Sequence, residues 1–93
     1  MYRVEIHREA AKEISNLPSD IKKRVLEVLN ALQTKPYPYK EYDLKKISGF
    51  KDIYRIRVGK YRISYYVNDA DKIIIILEVR LRGSAYSSLK RRL

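Results

Sequence analysis

Apolar and polar positions alternate from Tyr54 to Val67 in two runs broken by Gly59-Lys60. Alternation with a period of two is the mark of a strand. A two-residue break with glycine first suits a type II′ hairpin turn. That turn pairs Val58 with Tyr61, Ile56 with Ile63 and Tyr54 with Tyr65 on one apolar face. The same register sets Arg57 opposite Arg62, and Arg55 opposite Ser64, on the other face.

The rest of the chain follows the same two periods. Residues 2–6 alternate as a short strand, and His7 after it is read as a surface or capping residue. Ala10, Ala11, Ile14 and Leu17 recur at helical spacing, and Pro18 ends that helix because the residue before a proline avoids helical geometry. Ser19 or Asp20 is expected to cap a second helix, whose stripe is Ile21, Val25, Val28, Leu29 and Leu32 and which stops before Pro36. So short a break between two helices predicts an antiparallel helical hairpin. Residues 37–42 form a tyrosine-rich linker whose rings either stack on bases or cover the edge of a core. Core cover is preferred, since tyrosine has a large apolar body. Residues 43–47 read as a brief strand anchored by Leu44 and Ile47. Residues 73–79 form a continuous apolar run, the pattern of a strand buried on both faces. Its register leaves either Glu78 or Leu77 beside Arg62. Ser84 is expected to cap a last helix from Ala85 to Leu93. The fold expected is α+β: an N-terminal strand, then a helical hairpin packed on a twisted antiparallel sheet of about four strands, then a short C-terminal helix.

Length and composition narrow the classes. The 93 residues suit one domain spanning 1–93. With no cysteine and a single histidine, thiolate metal sites and disulfides are excluded and a histidine-built metal centre is not expected. No apolar run reaches membrane-spanning length. The N-terminal residues lack a signal-peptide core, so a cytoplasmic protein is expected. The net charge is +10, of which residues 1–47 carry +3 and residues 48–93 carry +7. The surplus therefore sits on the half that holds the arginine hairpin. Such a stripe is the electrostatic footprint of nucleic-acid binding or of an acidic protein partner.

The arginine face sharpens that reading. Like charges directly opposite across a ladder are destabilising. The sequence shows no acid within the hairpin face to offset Arg55, Arg57 and Arg62. One explanation is a solvated face that discourages edge pairing. The other, adopted here, is a preformed anion site for phosphate, which arginine grips as a planar fork.

The element order, with Leu44-Lys-Lys-Ile47, Ser48-Gly49, the run from Tyr54 to Tyr65 and Arg82 followed by Tyr86, resembles the RelE/ParE toxin superfamily, and in particular RelE-type toxins of archaea. The resemblance implies the toxin of a type II toxin–antitoxin pair that cuts messenger RNA in the ribosomal A site. It also implies a RelB-like antitoxin as partner, with operator DNA met only through the antitoxin complex. Residue by residue, Arg55 and Arg57 match basic positions on the first hairpin strand, where some members have lysine. Arg62 matches an arginine on the second strand, Arg82 one after the last strand, and Tyr86 a tyrosine near the C-terminus. Other branches use a glutamate and a histidine near the end, and this chain has no histidine there.

The chemistry assigned follows from these side chains. Arginine stays protonated, so it serves as a stabiliser of phosphoryl charge and not as a base. Arg57, Arg62 and Arg82 are the candidate stabilisers and Tyr86 the candidate proton donor or stacking platform. Arg55, Lys45, Lys46, Lys51 and Arg80 are the candidate RNA-binding cations. No cofactor or metal is expected, and no general base is evident. That gap predicts strong dependence on substrate positioning by the ribosome, which can supply about 7–11 kcal/mol of a barrier. The alternatives are a ParE-like toxin acting on DNA gyrase without cutting RNA, and a plain basic nucleic-acid-binding module.

Overall fold

In the computed structural model, which describes residues 1–93, the chain runs β1 (Arg3–Ile6), α1 (Arg8–Ser15), α2 (Ser19–Leu32), β2 (Asp43–Lys46), β3 (Ile53–Val58), β4 (Tyr61–Asn68), β5 (Ile73–Leu81) and α3 (Leu89–Arg92). One five-stranded sheet has the order β1-β5-β4-β3-β2. Strands β2 to β5 form an antiparallel meander, and β1 pairs with β5 in parallel. The expected antiparallel sheet of four strands is β2 to β5, and the expected N-terminal strand joins its edge in parallel as a fifth. Alternation marks a strand without encoding the direction of a partner some seventy residues away.

Two side-chain properties set the layers. The stripes of α1 and α2 bury Ala10, Ile14, Val25, Val28, Leu29 and Leu32 against Ile56, Ile63, Tyr65, Ile74, Ile76 and Val79 of the sheet. The opposite face is divided. Toward one end, Ile53 and Leu77 form a small second core with Ile47 and Leu89, flanked by Phe50, Tyr66 and Ile75. Toward the hairpin tip the same face is polar and basic.

Local chemistry explains the element ends. His7 caps α1, its Nδ1 accepting from the Glu9 N–H at 3.1 Å. The cap expected at Ser19 or Asp20 is not there. Pro18 occupies that position without a side-chain bond, and both polar residues fall inside the first turn. Asp20 still meets the positive end of the helix dipole. The last helix is also shorter than expected, beginning at Leu89 with Ser88 before it. The carbonyls of Ser84 and Ala85 accept from the Arg62 guanidinium, so they do not start a helix. In the linker, Tyr37 and Tyr42 pack on the main core while Tyr39 is exposed. No helix is long and apolar enough to cross a membrane.

Candidate active site

The hairpin takes the register its turn dictates. Val58 faces Tyr61, Ile56 faces Ile63, Arg57 faces Arg62 and Arg55 faces Ser64. Gly59 has φ +58° and no residue after it in the turn has positive φ, as type II′ geometry requires. The neighbouring strands extend these pairs into rows, because directly opposed residues share a face. Asp43, Arg57, Arg62 and Arg80 form one row across four strands; Lys45, Arg55, Ser64 and Glu78 form the next.

A bulge creates the second row. Ser64 pairs with Glu78, but Tyr65 pairs with Ile76, which leaves Leu77 without a partner. The extra residue puts Leu77 and Glu78 on the same face. Without it, Glu78 would point into the helix-side core. With it, the fully buried Glu78 carboxylate lies beneath the arginines. Its Oε2 accepts from Arg62 Nε and Nη2 at 3.2 and 3.1 Å and from Ser64 Oγ at 3.1 Å. Its Oε1 accepts from Ser88 Oγ at 2.9 Å and stands 4.0 Å from Arg80 Nη1.

The arginine face is thus not free of acids, and the expectation that it would be is corrected. Arg62 is buried. Besides Glu78, it donates from Nη1 to the Ser84 carbonyl at 2.5 Å and from Nη2 to the Ala85 carbonyl at 3.2 Å, and its guanidinium lies 3.9 Å from the centre of the Tyr86 ring. Arg55, also buried, donates from Nη1 to the Asp43 carbonyl and carboxylate at 2.9 and 3.2 Å, and Arg57 Nη1 is 3.6 Å from the other Asp43 oxygen. The hydrogen bond from Arg55 first, then the charges of Arg55, Arg57 and Arg82, hold the Asp43 carboxyl below the usual aspartate range. Arg82 donates to the Gly59 carbonyl at 3.3 Å and has no carboxylate within ion-pair distance, and the same holds for Lys45, Lys46 and Lys60. Eight cations therefore face two carboxylates, and the surface stays strongly positive.

Two grooves open on this surface. One, of about 410 Å³, is lined by Lys45, Lys46, Ile47, Ser48, Arg55, Arg57 and Tyr86. The other, of about 510 Å³, is lined by Arg57, Lys60, Leu81, Arg82 and Gly83. Arg57 borders both, so the two make one basic track past the hairpin. Of the nine candidate residues, Arg55, Arg57, Arg82, Tyr86, Lys45 and Lys46 line that track. Arg62 lies under Tyr86, and the half-buried Arg80 is tied toward Ser88 and Glu78. Lys51 does not join them; it borders an apolar slot with Tyr66, Ile75 and Leu93. Lys60 and Asp43 belong to the site and were not singled out by pattern. Lys60 sits in the turn itself, and Asp43 is identified only by the β2–β3 register.

Such an arrangement can grip a polyanion along the track and present a phenol beside it. This is the architecture of a small α+β protein with its two longer helices on one sheet face and a cationic groove on the other. A family model described as the ParE toxin of type II toxin–antitoxin systems, parDE, matches residues 4–86. The chain belongs to this family. It is 37% identical over 87 residues to the protein named RelE1 of Methanocaldococcus jannaschii, covering 94% of this chain and 97% of the relative. It is 37% identical over 76 residues to toxin RelE3 of the same organism, covering 81% and 84%. Among solved structures it resembles the archaeal RelE–RelB complex from Pyrococcus horikoshii, with a TM-score of 0.80 and 41% identity over 90% of this chain and 98% of that one. A mutant of E. coli toxin RelE in the free state superposes with a TM-score of 0.82 at 23% identity over 99% and 97% of the two chains, a likeness of fold.

Proposed function

We propose that this chain is the toxin of a type II pair and acts as a metal-independent endoribonuclease on messenger RNA held in the ribosomal A site. The observation that carries the reading is the basic track of Lys45, Lys46, Arg55, Arg57, Lys60 and Arg82, whose cations outnumber the Asp43 and Glu78 carboxylates and whose groove Tyr86 lines. The family and the RelE relatives support it. The P. horikoshii relative was solved with RelB, which supports a RelB-like antitoxin as the protein that blocks this chain.

In this mechanism the RNA 2′-hydroxyl loses its proton and its oxygen attacks the adjacent phosphorus. The bond from phosphorus to the 5′-oxygen breaks, leaving a 2′,3′-cyclic phosphate and a 5′-hydroxyl. Exposed Arg57 and Arg82 contact the phosphate and stabilise charge on its oxygens. Arg62 has four of its five N–H bonds engaged by Glu78, Ser84 and Ala85. It therefore acts as a fixed charge beneath Tyr86 more than as a free fork. Tyr86 donates the proton to the leaving 5′-oxygen or stacks on a base. Arg55, Lys45, Lys46 and Arg80 hold the RNA backbone, with Lys51 apart from them. A cationic lining repels divalent metal ions, which is why a metal-independent route is proposed. Water is the default proton acceptor, so alignment by the ribosome does much of the work.

Incubating the purified toxin with programmed ribosomes and with the same RNA alone tests this. Fast cutting on ribosomes and little on free RNA is expected; equal cutting of both contradicts the dependence. The ParE description of the matching family favours one second reading, a toxin that acts on DNA gyrase. Inhibition of gyrase supercoiling by a chain that leaves ribosome-bound RNA intact would establish that reading instead.

A further inference from the structure

We propose that Glu13 and Arg92, which lie outside the groove, are positioning residues that moor the C-terminal segment and so hold Tyr86 over Arg62. The proposal rests on the reading of Tyr86 as part of the nuclease site.

The mooring begins at a gap in the sheet. Strand β1 ends at Ile6 opposite Ile76, and the His7 N–H closes that pairing on the Ile76 carbonyl at 2.9 Å. Strand β5 continues to Leu81. Past Ile76 its outer edge has no neighbouring strand, and the bulge lies there. Buried backbone groups must find partners. Two side chains supply them. Glu13 Oε1 accepts from the Val79 N–H at 3.1 Å, and Arg92 Nη1 donates to the Leu77 carbonyl at 2.8 Å. The same two side chains pair with each other, Nη1 to Oε1 at 2.9 Å and Nη2 to Oε2 at 3.1 Å. One acceptor and one donor, locked together, stand where the next residue of a strand would be.

Arg92 is buried, and its Nε is the one buried side-chain polar atom without a hydrogen bond; the nearest Glu9 oxygen is 3.7 Å away. Burying a guanidinium is costly unless it is well paired, so the fork geometry with Glu13 is what keeps the last helix in place. A four-residue helix cannot sustain itself. Leu89, fully buried beside Ile53 and Leu77, and Ser88, bonded to Glu78, dock with it. The neighbouring pair of Arg91 with Glu9, at 2.6 Å, is exposed and contributes little.

The docked helix reaches the site through a short connection. The Leu89 N–H donates to the Tyr86 carbonyl at 3.1 Å, and Tyr86 then lies on Arg62. Misplacing a reacting group by about 1 Å can cost about 10²-fold in rate. Glu13 thus acts on the phenol through α3, from a helix that lines neither groove.

The test uses the full-length toxin on programmed ribosomes, with Glu13→Ala, Arg92→Lys and Tyr86→Phe alone and combined. Glu13→Gln, which keeps an acceptor for Val79, replaces Glu13→Ala if that variant does not fold. Glu13→Ala and Arg92→Lys are expected to lower kcat about 10- to 100-fold with KM changed less than about threefold, and to have no further effect in the Tyr86→Phe background. Losses of the same size in that background, or a change confined to KM, would overturn the positioning role. Limited trypsin digestion supplies a second readout that needs no RNA. Glu13→Ala and Arg92→Lys should be cut within residues 82–92 at least about tenfold faster than wild type while the rest of the chain stays resistant, and Tyr86→Phe should be cut at the wild-type rate. Wild-type rates for Glu13→Ala and Arg92→Lys would overturn the mooring. If the wild type cuts no RNA on ribosomes, the nuclease reading fails and the digestion alone decides whether the mooring exists.

Discussion

Arg62 and Glu78 lie diagonally across β4 and β5, with two guanidinium nitrogens on one carboxylate oxygen at 3.2 and 3.1 Å and both side chains almost wholly buried. Removing one partner of such a pair strands the other charge in a poorly solvated place. Glu78→Ala is therefore expected to cost about 3–5 kcal/mol of stability, measured by urea unfolding. A loss below about 1 kcal/mol would show that the pair is solvated. The same relation makes Arg62→Ala an ambiguous probe of chemistry, because lost activity there includes lost fold.

Arg57 and Arg82 are the cleaner probes, since both are exposed. Replacing either with alanine should leave stability within about 0.5 kcal/mol. Each should also lower the salt dependence of binding to single-stranded RNA by about 0.7 in the log–log slope, one phosphate contact apiece. Unchanged slopes would remove these residues from the RNA track.

Much of this arrangement is written in the chain, and the limits have physical causes. The hairpin register was legible because Gly59-Lys60 permits one tight turn and a one-residue slip would bury the arginines with the helices. The stripe of α2 was legible because Val25, Val28, Leu29 and Leu32 repeat with the helix. The parallel seat of β1 was not, because period-two alternation carries no partner or direction. Nor was the arrival of Glu78 among the arginines. That depends on a single bulged residue, which reverses the facing of everything after Leu77. Tyr86 was placed by resemblance, but the carbonyls that shorten the last helix belong to a tertiary contact with Arg62 that no local propensity records.

Asp43 gives the site a pH dependence. Its folded carboxyl sits below the ordinary value of 3.8, chiefly through the hydrogen bond from Arg55, which outweighs the upward push of desolvation. A carboxyl depressed on folding stabilises the fold above its unfolded value, and that contribution is lost as pH falls through the lower folded value. An NMR titration should place the Asp43 midpoint below 3.8, and Asp43→Asn should remove that part of the acid sensitivity. A midpoint at or above 3.8 would contradict the pairing. At neutral pH Asp43→Asn also frees Arg55 and Arg57, so RNA binding should tighten.

The hairpin tip tolerates little at Gly59. With φ +58°, an added Cβ is strained, and it would meet Ile21 Cδ1 at 3.3 Å and Arg24 Nη1 at 3.5 Å. Gly59→Ala is expected to lower stability by about 1–2 kcal/mol, seen as a lower urea midpoint at unchanged m-value. No change would mean that the turn relaxes to another type.

The most direct test of the account is primer extension on a messenger translated with the purified toxin, comparing wild type with Arg82→Ala. Cuts at A-site codons that fall at least about 10²-fold in the variant, with circular dichroism and antitoxin binding unchanged, are the predicted result. Equal cutting by both proteins, or none by wild type, would contradict the claim that the exposed guanidinium groups bordering this groove, Arg82 among them, drive RNA cleavage.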